Sequence, residues 1–255
     1  VRAWYGSRGV PVELNEPRHW GRRDAPDVVY VTSAFLAAWN AKAFGVRDYI
    51  AQMMFNSPAG LSDAMDLAKM AAILEMIASL EDDRFRIWRQ TRTGLLSYPL
   101  EDNAARAHLA ASIYLQMGLK PHIVHIVGHT EADHAATAED VINASQMARR
   151  VIATALQGQP DLLADPAIQQ RKAHLIAEAR LTLNVIRSLS HAEDPLTDPA
   201  ALAEAVRRGI LDAPQLKNNR FAAGTIRTGI VRGGCEALDE QGEVLPESAR
   251  LANYL

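Results

Sequence analysis

The chain has 255 residues, of which 48% are hydrophobic and 22% charged, a composition typical of a globular protein rather than a disordered or fibrous one. With 27 Lys and Arg against 30 Asp and Glu, the net charge of −3 argues against nucleic acid or an anionic membrane as the main partner. The single Cys235 excludes an internal disulfide and a CxxC metal site. Neither a signal peptide nor an apolar run of about 18 residues occurs, which predicts a cytoplasmic protein. Because the chain begins at Val1 and not at Met, we expect it to be a piece of a longer protein.

The first 157 residues alternate between short β-branched segments and longer segments with helical spacing of apolar residues. Ser62 and Thr137 are suited to cap helices, and Pro58 and Gly60 stop the second strand-like segment. We predict strands at residues 9–14, 46–55, 85–90 and 122–128, and helices at residues 29–43, 62–80, 101–117 and 137–156.

Four successive strand–loop–helix units predict an α/β fold with parallel strands joined by right-handed crossovers. The strands read as nearly continuously apolar, which is expected when both faces of a sheet are covered. No Gly-x-Gly-x-x-Gly or P-loop motif follows a strand, which favours a barrel over a doubly wound sheet. A complete (β/α)8 barrel needs eight units and about 250 residues, so residues 1–157 are predicted to form the C-terminal half of a TIM-like barrel.

The remaining residues, 158–255, differ in pattern and are predicted to form a mainly helical extension with a short β-hairpin. The expected elements are helices at residues 166–189 and 198–208 and a Gly-rich hairpin within residues 225–244.

Ionisable side chains are concentrated in residues 121–137, where the fourth strand ends. They are His122, His125, His129, Glu131, Asp133 and His134. Alternation along a strand would place His125 and His129 on one face, toward a barrel interior. Three interpretations stay open. The first is a zinc or iron site, and the second is a ligand site in which Glu131 accepts hydrogen bonds and a histidine transfers a proton. The third is a structural role, in which Asp133 and His134 cap the next helix and His122 and His125 are structural histidines.

A second group lies at the carboxyl end of the third strand. Arg89 and Arg92 suit a carboxylate or phosphate ligand, although a salt bridge to the acidic residues 81–83 explains them equally well. Tyr98 suits stacking on a planar ligand or packing within its loop. At the end of the second strand, Met53 and Met54 are expected in the core and Asn56 in a turn.

Several stretches match one known family. They are Trp4–Tyr5, Gly9–Val10 and Asn15–Glu16–Pro17, the loop from Gln90 to Leu95 with Tyr98–Pro99, and the run from Ile123 to Thr137, with weaker matches in the tail. Together they resemble the large (ε) subunit of glutamate mutase, or methylaspartate mutase, an adenosylcobalamin-dependent isomerase. The resemblance spans most of the chain.

The resemblance implies a role for particular residues. Glu131 matches the glutamate that holds the adenosine ribose, Tyr98 an aromatic that lines the cofactor, and Ala135 a small residue beside it. Val127 stands where the family has a lysine, so that ribose contact is absent or supplied by a histidine, for which His129 is the candidate. Arg92 stands where the family has a histidine near the substrate, which suggests contact with a substrate carboxylate.

The resemblance also implies the activity and the partners. The expected reaction interconverts L-glutamate and 3-methylaspartate, or a similar small amino acid, by a radical mechanism used in anaerobic glutamate catabolism. The family's substrate-binding arginines lie upstream of this chain, and a separate small cobalamin-binding subunit holds most of the cofactor. We therefore expect a hetero-oligomer or homodimer that is inactive without those parts. The alternatives are a metal-dependent TIM-barrel hydrolase using His125, His129, Glu131 and His134, and a non-catalytic remnant that scaffolds a partner.

Overall fold

A four-stranded parallel sheet forms the centre of the protein in a computed structural model that describes residues 2–254. Its strands lie side by side in chain order: β1 (Val12–Leu14), β2 (Asp48–Phe55), β3 (Arg86–Thr93) and β4 (Ile123–His125). The register places Leu14 beside Ala51, Gln52 beside Gln90, and Arg92 beside His125. In the described part of the chain, β1 and β4 are the two edges of an open sheet.

Helices account for most of the remaining structure. They are α1 (Arg2–Gly6), α2 (Glu16–Gly21), α3 (Asp27–Ala43), α4 (Asp63–Ala78), α5 (Asp102–Met117), α6 (Ala138–Leu156), α7 (Pro166–Ser188), α8 (Pro199–Arg207) and α9 (Glu247–Arg250). Short 3-10 turns lie at Leu95–Ser97, Leu162–Ala164, Pro214–Leu216 and Ala252–Tyr254. The predictions for α3 to α8 are confirmed to within about two residues, whereas α1, α2 and α9 were not predicted.

The sheet has two chemically different faces. One face, here called the core face, presents Tyr49, Ala51, Met53, Phe55 and Ile87 to the main hydrophobic core. Residues of α3, α4 and α7 complete that core. The opposite face, here called the polar face, carries Glu13, Gln52, Gln90, Arg92 and His125. The expectation that the strands are apolar on both faces is therefore wrong, because these polar side chains stand among the apolar ones of this face.

A second, smaller core joins α5 and α6. Leu109 and Ile113 of α5 pack with Ala144 and Ala148 of α6, and the loops between the strands and these helices contribute two more side chains. Thr137 caps α6 in a reciprocal capping box with Asp140, which explains why the start of this helix was predictable from sequence.

The tail shares the main core with the sheet. Leu175, Ala179, Leu183 and Ile186 of α7 pack against α3 and α4, although the predicted domain boundary at residue 157 lies before α7. The predicted hairpin is confirmed as β5 (Arg227–Val231) paired antiparallel with β6 (Gly234–Leu238). Its turn lies against the loop after β2, since the Ser62 amide donates to the Gly233 carbonyl oxygen at 2.9 Å.

A buried network of charges connects the sheet layer to the tail. Lys69 Nζ lies 3.0 Å from Asp66 Oδ1 and 3.3 Å from Asp27 Oδ1, and all three side chains are almost fully buried. Asp27 Oδ2 also accepts from Arg171 at 3.0 Å, and Arg171 pairs with Glu236 at 2.6 Å. The network thus links α3, α4, α7 and β6.

Several strand boundaries differ from the predictions. β1 begins at Val12 rather than at residue 9, and β3 continues to Thr93, beyond the predicted end at residue 90. β4 covers only Ile123–His125, not residues 122–128, so the chain leaves the sheet earlier than its apolar pattern indicates. Among residues 2–254, no helix is both long and apolar enough to cross a membrane.

Candidate functional site at the carboxyl end of the sheet

Glu13 is the centre of a hydrogen-bonded group on the polar face. Its carboxylate accepts from the side-chain amide of Gln52, and from Gln90 Nε2 at 2.9 Å. Gln52 Oε1 is buried and has no hydrogen-bond partner in the described structure. Three neighbouring strands therefore hold a carboxylate in place and leave one amide oxygen free to accept a hydrogen bond. Sequence analysis missed Glu13, although a lone glutamate between Val12 and Leu14 indicates that one face of β1 is polar.

Arg92 lies farther along the same face, next to the end of β3. Its guanidinium is half-buried, and its Nε contacts the Thr93 carbonyl oxygen at 3.5 Å. Burial lowers the pKa of Arg92, the nearby charges of Arg18 and Arg22 lower it further, and those of Glu131 and Glu13 oppose this. Arg92 was predicted from sequence as a site residue, and the structure places it near other charged groups.

Arg89 does not share this site, so the prediction that both arginines meet one ligand is wrong. It lies three residues before Arg92 and projects from the other face of β3. Its Nε donates to the Lys120 carbonyl oxygen at 3.0 Å, and its backbone amide donates to His122 Nδ1 at 3.0 Å. Arg89 forms no salt bridge to residues 81–83 in the described structure. Its contacts with Lys120 and His122 instead hold the segment that leads into β4.

Helix α2 brings Arg18 to this end of the sheet, and Arg22 directly follows the helix. It directly follows β1, and Gly21 at its end packs so closely on Tyr30 and Ser57 that an added Cβ would lie 3.2 Å from either side chain. Arg18 Nε is buried and has no hydrogen-bond partner among the described residues. Sequence analysis missed α2 and Arg18; the available signal was Pro17 at the first helical turn after Asn15.

The loop after β4 separates the residues that sequence analysis grouped together. Glu131 is exposed, and its Oε1 accepts only a long hydrogen bond of 3.4 Å from the Gly128 amide. Its charge contributes to the pKa of Arg92, Tyr98 and His125, which places it near all three. Glu131 therefore has a carboxylate free to accept hydrogen bonds from a ligand.

His125 and His129 do not share a face, which contradicts the prediction from strand alternation. β4 ends at His125, and the following turn directs His129 toward the start of α5. The His129 side chain is 2% exposed, its Nε2 lies 3.6 Å from Asp102 Oδ1, and burial, followed by the Arg106 charge, lowers its pKa. Burial, then the Arg92 charge, lowers the pKa of His125. His129 thus faces away from Arg92.

His134 and Asp133 form a surface pair rather than a helix cap. Their side chains are 2.8 Å apart, and this hydrogen bond raises the pKa of His134. Because Thr137 and Asp140 cap α6, the capping role considered for Asp133 and His134 is wrong.

Tyr98 and Val127 lie inside the second core. The Tyr98 hydroxyl donates to the Val127 carbonyl oxygen at 2.9 Å, and its ring contacts His108 edge-on at a centroid distance of 5.0 Å. Burial raises the pKa of Tyr98. The Tyr98 ring and the Val127 side chain are buried, whereas Ala135 is exposed in the same loop as Glu131. Of the residues implied by the family resemblance, Arg92, Glu131 and Ala135 are accessible to a ligand.

Across residues 2–254, no three His, Cys, Asp or Glu side chains lie together in a way that can hold a metal ion. Comparisons with known proteins are also negative: no protein family model matches the chain, and no curated protein matches it.

Proposed function

We propose that this chain supplies the C-terminal half of a (β/α)8 barrel in an adenosylcobalamin-dependent carbon-skeleton mutase acting on glutamate or a similar amino acid. The observation that carries the proposal is the asymmetry of the sheet. Helices α3 and α4 pack on the core face, while the other face carries Glu13, Gln52, Gln90 and Arg92. A doubly wound sheet would cover both faces with helices, whereas the inner face of a barrel carries the ligand site at its carboxyl end.

The accessible residues suit the binding half of such chemistry. The cofactor would supply the radical chemistry, and the protein would orient the reactants and exclude water. Glu131 has an exposed carboxylate suited to accept hydrogen bonds from ribose hydroxyls, and the half-buried Arg92 is suited to a substrate carboxylate. Tyr98 would act by fixing the backbone at Val127, since its ring and its hydroxyl are already engaged.

The test reconstitutes this chain with its upstream half and a small cobalamin-binding subunit, and measures conversion of L-glutamate to 3-methylaspartate. Glu131→Gln should weaken binding of adenosylcobalamin by about tenfold, because a charged acceptor is lost. Glu193→Gln, at an exposed position in the tail, should leave binding unchanged. Unchanged affinity and turnover in Glu131→Gln would contradict the role of Glu131, and a complete complex without conversion would contradict the mutase assignment.

A further inference from the structure

Three arginines at the carboxyl end of the sheet have no acidic partner. Arg18 lies on α2, Arg22 directly follows α2 and Arg92 lies on β3, and none forms an ion pair with a carboxylate in the part of the chain that the structure describes. Arg18 Nε is buried without any hydrogen-bond acceptor. A buried guanidinium donor without an acceptor is unfavourable, so this group is suited to receive an acceptor from a ligand.

The same face also has an unpaired acceptor. Gln52 Oε1 is buried without a donor, because the amide of Gln52 is directed at Glu13. Gln52 lies on the strand next to Arg92 and two register positions before it. Given the spacing of strands and of residues along them, these positions are about 8 Å apart, a separation that a small organic acid can span.

The charges around Arg92 indicate which kind of anionic ligand this site favours. The nearby cations are Arg18 and Arg22, and the nearby carboxylates are Glu13 and Glu131. Carboxylates thus lie near Arg92 as well as cations. A monoanion such as a carboxylate meets less repulsion from Glu13 and Glu131 than a phosphate dianion would.

We infer that Arg18 and Arg92 bind the carboxylate of a small organic acid and that Gln52 accepts a hydrogen bond from a hydroxyl or ammonium group on the neighbouring carbon of that acid. Arg18 and Gln52 then become specificity-determining residues of the site. The inference deepens the proposed function and rests on it for any reaction that follows, but binding itself needs only residues of this chain.

The test is an NMR titration of the purified protein with three matched acids: butyrate, 2-hydroxybutyrate and 2-aminobutyrate. They share a carboxylate and a carbon chain and differ in the donor group that would meet Gln52. We expect all three to bind, and the two acids with a donor to bind at least about fivefold more tightly than butyrate, because they satisfy a buried acceptor. Inorganic phosphate should bind more weakly than any of them.

Variants separate the two halves of the site. Arg18→Gln and Arg92→Gln should each weaken all three acids by about tenfold or more, since a charge-assisted hydrogen bond is lost. Gln52→Met should abolish only the preference for acids with a donor. Arg149→Gln, at an exposed position on α6, should change nothing. Arg92→Lys keeps the charge without the bidentate geometry, should show intermediate affinity, and serves as the test if Arg92→Gln proves unfolded by circular dichroism.

Three outcomes would overturn the inference: no binding of the acids, equal effects of the Arg18, Arg92 and Arg149 substitutions, or tighter binding of phosphate. Its failure is distinguishable from failure of the mutase proposal. If the protein binds carboxylates but has no mutase activity, the inference still holds. If it is an active mutase but substitutions of Arg18 and Gln52 do not change acid binding, only the inference is wrong.

Discussion

Lys69 is a fully buried lysine whose charge is balanced by two buried carboxylates. Its Nζ also donates to the Ser57 carbonyl oxygen at 2.7 Å and lies 5.3 Å from the centre of the Tyr30 ring. Burial lowers the pKa of Lys69, but the charges of Asp66 and Asp27 more than offset this, and the pKa is raised. Lys69 therefore stays charged, and its neighbours depend on that charge.

Replacing Lys69 with Met should destabilise the protein strongly. The substitution leaves Asp66 buried without its cation, and loss of one partner from a buried ion pair lowers the free energy of unfolding by about 3–5 kcal/mol. Lys172→Met is the matched control, because its ion pair with Glu75 is partly exposed and should contribute about 1 kcal/mol or less. Urea unfolding monitored by circular dichroism measures both, and equal losses would contradict a special role for Lys69.

At the scale of single residues, sequence analysis succeeded where the signal was local. The opposite faces of Arg89 and Arg92 were not predicted, because the expected strand ended at residue 90, whereas β3 continues to Thr93 and residues three apart on a strand point in opposite directions. The pairing of Lys69 with Asp27 was not predictable, since it depends on how α4 packs on α3. Arg18 was missed for a similar reason, because Arg18 is on α2 and Arg92 is on β3, far away in the sequence.

The hairpin is attached to the sheet layer through its turn. Gly233 has a φ of +86°, and a Cβ there would lie 2.3 Å from Ser62 Oγ and 2.6 Å from Ser62 Cβ. Ser62 is also the N-cap of α4, with its hydroxyl accepting from the Met65 amide. The hairpin turn and the start of α4 are therefore mutually constrained.

Alanine at Gly233 should be more destabilising than alanine at Gly242. Both glycines have a φ of +86°, so both substitutions carry the same backbone strain, of about 1 kcal/mol. Gly242 has open space around its Cβ position, whereas Gly233 meets Ser62, so only Gly233→Ala must displace the hairpin. Thermal unfolding of the two variants measures the difference, and equal midpoints would show that the contact with Ser62 has no effect.

Helices with their own capping signals were among the elements predicted well. Ser62 and Thr137 begin α4 and α6 through hydrogen bonds within one turn, which a sequence displays directly. The end of β4 has no such signal: the residues after His125 are apolar because Val127 is buried in the second core, not because they continue the strand. Tertiary packing decided that boundary.

At the scale of the molecule, the open sheet determines how copies should behave in solution. In the described structure, β1 and β4 pair on one side only, and exposed strand edges favour pairing with another chain. Ile123 in β4 is 37% exposed. We expect the wild-type protein to self-associate, as measured by light scattering during size-exclusion chromatography.

A charge on the β4 edge should reduce this association. Ile123→Lys should shift the protein toward monomer without changing its circular dichroism, because a lysine on an edge opposes strand pairing. Leu156→Lys, at a 74% exposed position ending α6, is the control and should leave the assembly unchanged. A wild-type protein that stays monomeric at high concentration would argue against the half-barrel.

The class of fold was predictable from the order of segments, since four strand–helix units in sequence specify parallel strands. It was not predictable from sequence that the sheet and the tail share one hydrophobic core. α7 begins nine residues beyond the predicted boundary, and its pattern shows an apolar face without showing which partner buries it.

The carboxylate of Asp27 has a consequence for the order in which the newly made chain can fold. Asp27 stands at the start of α3, but its partners are Lys69, Arg171 and the backbone amide of Cys235. During synthesis, the sheet leaves the ribosome long before α7 and the hairpin exist. The core face of the sheet and the Asp27 carboxylate therefore stay incompletely covered until nearly the whole chain has emerged. The last third of the chain thus completes the burial of residues in the first third.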